Sequence, residues 1–184
     1  MTRQVITHNL GFTCKIILLI ICITSIVMQY QKINKIVSPF SGENLQIVQI
    51  KNDLKFLSVK GEEVNKLSKA IKYASDITNI SDIIITSVMC SESRFNLFAR
   101  SPKTRSGYYE GLMQTPKAYY EHDLDTIKGA KILEDKLRIS NGKLDLALAL
   151  YKGGNNPEAW KHAKICLNII DQLKERRKYG RLKT

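Results

Sequence analysis

This chain is poor in the residues that build metal sites and disulfide frameworks: four cysteines and three histidines in 184 residues. Cys22 lies inside an apolar stretch with Cys14 next to it, so only Cys90 and Cys166 fall where a folded domain is expected. No Cys-x-x-Cys pair and no His/Cys cluster occurs, which removes the ligand spacing of a zinc site. No metal and no cofactor is expected. His8, His122 and His162 are scattered, and each reads as a surface or structural histidine. No internal repeat and no convincing strand run is present, which argues against an all-β domain. No recognisable nucleic-acid motif accompanies the positive charge, so nucleic acid is not the expected partner.

What is abundant is positive charge, a formal +12 from 29 Lys and Arg against 17 Asp and Glu. Such a surface suits an anionic partner: nucleic acid, acidic lipid headgroups or an anionic cell-wall polymer. Much of the excess sits in Lys174-Glu175-Arg176-Arg177-Lys178 and Arg181-Leu182-Lys183, which reads as a solvated basic tail. At the other end, Arg3 and Lys15 precede the uncharged run of residues 16–28. A positive segment followed by an apolar one is the pattern of a secretory signal or signal anchor. The run is short of the roughly 20 residues of a full span, though extension to Tyr30 lengthens it. No Ala-x-Ala cleavage site follows and Ile21 before Cys22 is too bulky for a lipobox, so an uncleaved anchor is favoured over a cleaved signal. The chain is expected to be exported, either anchored in the inner membrane or facing the periplasm or wall. Cys90 and Cys166 are then either two small buried thiols or a pair joined after export.

Residues 1–30 are thus read as a signal peptide or anchor, 31–60 as a linker followed by a helix over Glu43–Lys60, and 61–184 as the folded domain. Gly61 marks a break. Val64, Leu67, Ala70, Ile71 and Ala74 recur at helical spacing over Glu62–Thr78. Ser81 is placed to cap a helix running to about Ser93, with Asp82 suited to its first turn. Residues 99–111 are polar and turn-rich and read as a loop. Thr126–Ile139 is the next helix, closed by Asn141-Gly142 as a left-handed cap. Leu144–Tyr151 is almost wholly apolar and predicts a central buried helix. The last helix runs from about Glu158 to Arg177 with Trp160, Ala163, Leu167, Ile170 and Leu173 turned inward. The fold class is mostly α.

Glu92 is the principal candidate for chemistry, because it follows the apolar run Ile83–Val88. A carboxylate at the end of a buried helix is costly unless it is paired or protonated, and an acid kept protonated near neutral pH can act as a general acid. Downstream stand Ser101-Pro102, then Gly111-Leu112-Met113-Gln114, then Ala149-Leu150-Tyr151-Lys152-Gly153-Gly154. With Glu92-Ser93 these segments, in this order and spacing, resemble the soluble lytic transglycosylase domain of the lysozyme-like superfamily, over about Glu62–Lys174.

The resemblance implies a lysozyme-like transglycosylase domain preceded by the N-terminal hydrophobic segment, with peptidoglycan glycan strands as substrate. Glu92 would be the catalytic acid and then base, and the product would carry a 1,6-anhydro-N-acetylmuramic acid end. Ser101, Gly111, Met113 and Gln114 would border the glycan near the scissile bond, and Tyr151 would position Glu92. Other readings of these residues stay open: Met113 and Tyr151 as core, Gln114 as a loop hydrogen-bonder, Tyr108 and Tyr109 as packing or as faces for sugar rings. A hydrolysing muramidase on the same fold would need a second carboxylate, for which Glu110, Glu121, Asp123 and Asp125 are the candidates. A non-catalytic peptidoglycan-binding module is a third reading. Lys152 stands where the family commonly has Asn, and an ammonium beside Glu92 would favour its ionised form unless it points away. The machinery served would be wall remodelling, secretion, conjugation or a phage.

Overall fold

The computed structural model describes residues 45–104 and 107–180. The expected signal or anchor segment and most of the linker lie outside the described residues, as do Arg105 and Ser106. Among the described residues no helix is long and apolar enough to cross a membrane. The described chain is mostly helical, as its patterning predicts. Six helices follow in order: α1 over residues 45–56, then α2 (Glu63–Thr78), α3 (Asp82–Ser93), α4 (His122–Ile139), α5 (Leu144–Lys152) and α6 (Pro157–Gly180).

Local chemistry sets the helix ends. The α1 helix stops four residues short of Lys60, because Ser58 turns left-handed at φ 69°. The Val59 and Ser58 amides then close back on the Leu54 and Lys55 carbonyls, a Schellman end that needed no glycine. Asn141 and Gly142 close α4 in the same way, on Arg138 and Leu137. Ser81 precedes α3 but does not cap it with its hydroxyl; the Ile83 amide is held by the Asp82 carboxylate at 2.8 Å. The α4 helix begins at His122, one turn earlier than its apolar stripe suggests. The α6 helix starts with Pro157 in the first helical position, where its missing N–H costs nothing. Asn156 caps it through Oδ1 to the Ala159 amide at 3.0 Å.

The predicted inner stripe of α2 is buried along its length, from Val64 to Ala74. It packs against α4 and α3; α6 packs against α5 and α3, and α4 against α5. Ile85 and Met89 of α3, Leu133 of α4, Leu148 of α5 and Ile170 of α6 meet in one core with Ile50 and Leu54 of α1. Trp160 is a correction: it was expected inside but is 37% exposed, its indole N–H donating to Asn155 Oδ1.

Residues 99–111, expected as a loop, fold back on themselves together with the segment to Pro116. Strand β1 (Tyr109–Glu110) pairs antiparallel with β2 (Thr115–Pro116), and Ser101 binds Tyr109 twice, its amide donating to the Tyr109 carbonyl at 2.8 Å and its Oγ accepting from the Tyr109 amide at 2.9 Å. Two-residue strands are too short to show alternation in a sequence. Gly111 (φ +78°) lies between them against α4, where an added Cβ would fall 2.3 Å from an Asp125 carboxylate oxygen. Asp125 itself is buried and accepts the Tyr119 amide at 2.7 Å.

The basic run at the end of α6 is not all solvated. Arg177 reaches inward and bonds Asp53 through Nε at 2.8 Å and Asp82 through Nη1 and Nη2 at 3.2 and 3.1 Å. One guanidinium thereby ties α1, α3 and α6 together, with side-chain exposures of 13% for Arg177, 1% for Asp53 and 8% for Asp82. Removing one member of a buried ionic cluster leaves charge uncompensated, which costs more than the intact cluster contributes. Arg177→Met is therefore expected to lower unfolding stability by about 3–5 kcal/mol, read as a fall in the urea midpoint. A loss no larger than that of Lys178→Met would show the cluster to be energetically neutral.

Candidate active site

Glu92 occupies the last turn of α3, where the chain must leave the helix sharply. Arg94 (φ 52°) and Phe95 (φ 65°) are both left-handed, a cost of order 1–3 kcal/mol for each such non-glycine residue. The turn keeps Glu92 at the helix end while Ser93 stays buried and bonds back to the Met89 carbonyl. The Glu92 side chain is 2% exposed, yet it forms part of the floor of a groove of about 530 Å³. Ser101, Tyr109, Gln114, Tyr151 and Lys152 line that groove with it. Elements far apart in sequence are thus brought together: the end of α3, the folded-back 99–116 segment, and the α5–α6 junction.

Of the residues the sequence singled out, four share the groove: Glu92, Ser101, Gln114 and Tyr151. Gln114 is held by its own amide, Nε2 donating to the Ala99 and Gly111 carbonyls at 3.0 and 3.1 Å. Both N–H donors are spent, so only its Oε1 is left to accept from a ligand. Tyr151 donates its hydroxyl to the Met113 carbonyl at 2.7 Å. Two expectations need correction. Met113 does not line the groove: its side chain is fully buried against Gly129 of α4, and it serves the site through its carbonyl. Gly111 also lies outside the lining, and its missing side chain makes room for Asp125 rather than for a ligand.

The carboxylates considered as partners of Glu92 are all elsewhere. Glu110 pairs with Arg100 at 2.9 Å, Asp125 is locked under Tyr119, and Glu121 and Asp123 border a separate hollow with Lys66 and Tyr120. The acid that does share the groove is Glu158, in the first turn of α6. No motif marks it, although its place just after the Gly153–Pro157 break is a usable sign. Among the tyrosines, Tyr109 lines the groove, Tyr108 lies under the Arg100 guanidinium at 3.7 Å, and Tyr120 stacks on Phe98.

Lys152 does not point away. Its Nζ lies 2.6 Å from Glu92 Oε2. His162 of α6, read from sequence as merely structural, places Nε2 3.2 Å from Oε1. Burial raises the Glu92 carboxyl above the ordinary carboxylate range, and the Lys152 ammonium lowers it by less. The reason is dielectric: Glu92 is sealed, whereas Lys152 is 41% exposed and water screens its field. The negative end of α3 works in the same direction as burial. Burial, and then Lys152, depress His162 to about 4, so its ring is neutral at pH 7.

Cys90 and Cys166 are free. Both thiols are raised by burial, Cys166 to about 11, which makes neither a nucleophile. Among the described residues no three His, Cys, Asp or Glu side chains come together to hold a metal. The chemistry on offer is proton transfer by one buried carboxyl that faces a groove. No protein-family model matches the chain, and no curated protein matches its sequence.

A raised carboxyl has a stability consequence. The unfolded chain loses the Glu92 proton near the ordinary 4.5, the folded chain only at higher pH. Glu92 therefore subtracts stability as pH rises through that window, and the penalty disappears below it. Glu92→Gln is expected to melt higher than the wild type at pH 7, with the difference closing below pH 4.5. Melting curves across pH check this, and a variant destabilised at pH 7 would mean that Glu92 is held ionised.

Proposed function

We propose that this chain is a peptidoglycan lytic transglycosylase that cleaves the bond between N-acetylmuramic acid and N-acetylglucosamine. The observation that carries the reading is the buried Glu92, its carboxyl raised by burial, in a groove shared with Ser101, Gln114 and Tyr151. That constellation joins the four segments by which the sequence resembles the soluble lytic transglycosylase domain. A lysozyme-like arrangement of the helices and an exported, membrane-anchored or wall-facing location belong to the same proposal.

In this reaction the Glu92 carboxyl gives its proton to the glycosidic oxygen as the C1–O bond breaks. The resulting carboxylate takes the proton of the sugar's own 6-hydroxyl, and O6 bonds to C1. The carboxyl ends as it began, and no water is consumed. A single acid suffices when the substrate supplies the nucleophile. Lys152 then has a constructive part, since its ammonium favours the carboxylate that forms in the transition state and must act as base. Gln114 Oε1 accepts from a sugar hydroxyl or amide N–H, Ser101 borders the glycan, and Tyr109 offers a ring face.

Glu158 favours a second reading, a hydrolysing muramidase. A carboxylate in the same groove as the acid is what water activation or a covalent intermediate requires.

The deciding experiment is mass spectrometry of soluble products released from purified peptidoglycan by the full-length chain, with Glu92→Gln and Glu158→Gln beside it. Products lighter by one water, reduced about 10²–10⁴-fold in Glu92→Gln and retained in Glu158→Gln, are expected. Ordinary reducing ends that depend on both residues would establish the hydrolase, and no products from any folded protein would leave a binding module. Lys152→Asn removes the cation beside Glu92, so the alkaline limb of the activity profile is expected to move to higher pH. A limb that stays in place would show that Lys152 does not act on Glu92.

A further inference from the structure

His162 is about nine-tenths buried, and its Nε2 has no hydrogen-bond partner although Glu92 Oε1 is only 3.2 Å away. The separation alone does not say which atom holds the proton, an Nε2–H facing a carboxylate or a carboxyl O–H facing an Nε2 lone pair. The contacts behind the ring decide it. Ser91 has one hydroxyl proton, and it goes to the Val88 carbonyl at 3.0 Å. Its oxygen is then free to accept from the Cys166 thiol, 3.0 Å away. With its proton so engaged, Cys166 Sγ faces His162 Nδ1 at 3.8 Å as an acceptor. Each partner's role is fixed by the one before it. The imidazole is left with its proton on Nδ1 and a lone pair on Nε2, facing Glu92.

We propose that Ser91, Cys166 and His162 form a one-directional hydrogen-bond relay that presents an acceptor to Glu92 and so holds its carboxyl in the protonated form. His162 is a positioning residue here, since it acts through Glu92. The two carboxyl oxygens are thereby made unlike: Oε2 meets the Lys152 ammonium, and Oε1 keeps the proton. Opposite a lone pair, a carboxylate is repelled and a carboxylic acid is bonded, which selects the acid. The proton stays on Oε1 until a glycosidic oxygen competes for it. The neutral state of His162 agrees with this, because a ring that titrates at about 4 does not take the proton over. The other groups around Glu92 are Tyr151 and Lys152 of α5 and Glu158 of α6. The Tyr151 hydroxyl is spent on the Met113 carbonyl, and Lys152 meets Oε2.

The assignment rests on Glu92 being the acid of the proposed reaction, but its test does not require activity. Full-length chain labelled with ¹⁵N-histidine and ¹³C-glutamate is examined by NMR, with His162 and Glu92 assigned from His162→Gln and Glu92→Gln. The wild type is expected to show neutral His162 with the proton on Nδ1 at pH 7. Cys166→Ala frees Nδ1, and the proton is expected to redistribute to Nε2, with the Glu92 carboxyl titrating about one unit lower. Cys166→Ser preserves both donor and acceptor and is expected to restore the Nδ1 tautomer and the Glu92 titration. A wild-type ring protonated on Nε2 would overturn the relay, as would a Cys166→Ala protein that melts like the wild type with Glu92 unshifted. Failure to cleave peptidoglycan alongside the expected titrations would refute the transglycosylase and leave the relay standing.

Discussion

A carboxyl sealed at the end of a helix must either keep its proton or find a cation, and the site is organised around Glu92 doing part of each. Burial and the negative end of α3 favour the acid, and the screened ammonium of Lys152 favours the base. Burial is the larger influence, so the carboxyl lies above the ordinary carboxylate range. The surrounding helices serve the arrangement: α3 ends in two left-handed residues so that Glu92 stops at the groove, α5 ends at Lys152, and α6 starts so that its second turn carries His162.

The same molecule holds a second buried acidic group by the opposite means. Asp53 and Asp82 are matched by Arg177 with three hydrogen bonds. A guanidinium forks onto two carboxylates and does not exchange its proton. Arg177 therefore clamps three helices, whereas the single amine of Lys152, half in water, leaves Glu92 free to change state. The contrast separates an ionic contact that supports the fold from one suited to chemistry, although the formal charges are similar.

How legible these features are in the chain depends on their range. Helix existence and the inner faces of α2 and most of α6 follow from 3.6-residue periodicity. The apolar run of α5 predicts a central buried helix, but only Ala147, Leu148 and Ala149 of it are buried. Glu92 is legible because an acid after an apolar run is anomalous, and Ser101, Gln114 and Tyr151 because they sit in ordered motifs. Trp160 misleads because its large apolar ring has a polar N–H that Asn155 satisfies at the surface. Met113 and Gly111 mislead for another reason: a motif marks where the backbone passes the site, not which way each side chain faces. The β1–β2 ribbon is too brief to leave a pattern.

His162 and Arg177 stand in ordinary helical sequence with nothing to distinguish them from solvated neighbours. Their roles depend on which turn of α6 faces α3, a matter of helix rotation and crossing. By itself the sequence determined that the described chain is helical, where its core stripes run and which carboxyl is out of place, because those are local balances of hydrophobicity and backbone preference. Only the tertiary structure decided that Lys152 points toward Glu92 and that a neutral imidazole and a thiol lie behind it. Distances of three ångströms between residues 60 to 75 positions apart are set by packing, and no local pattern encodes them.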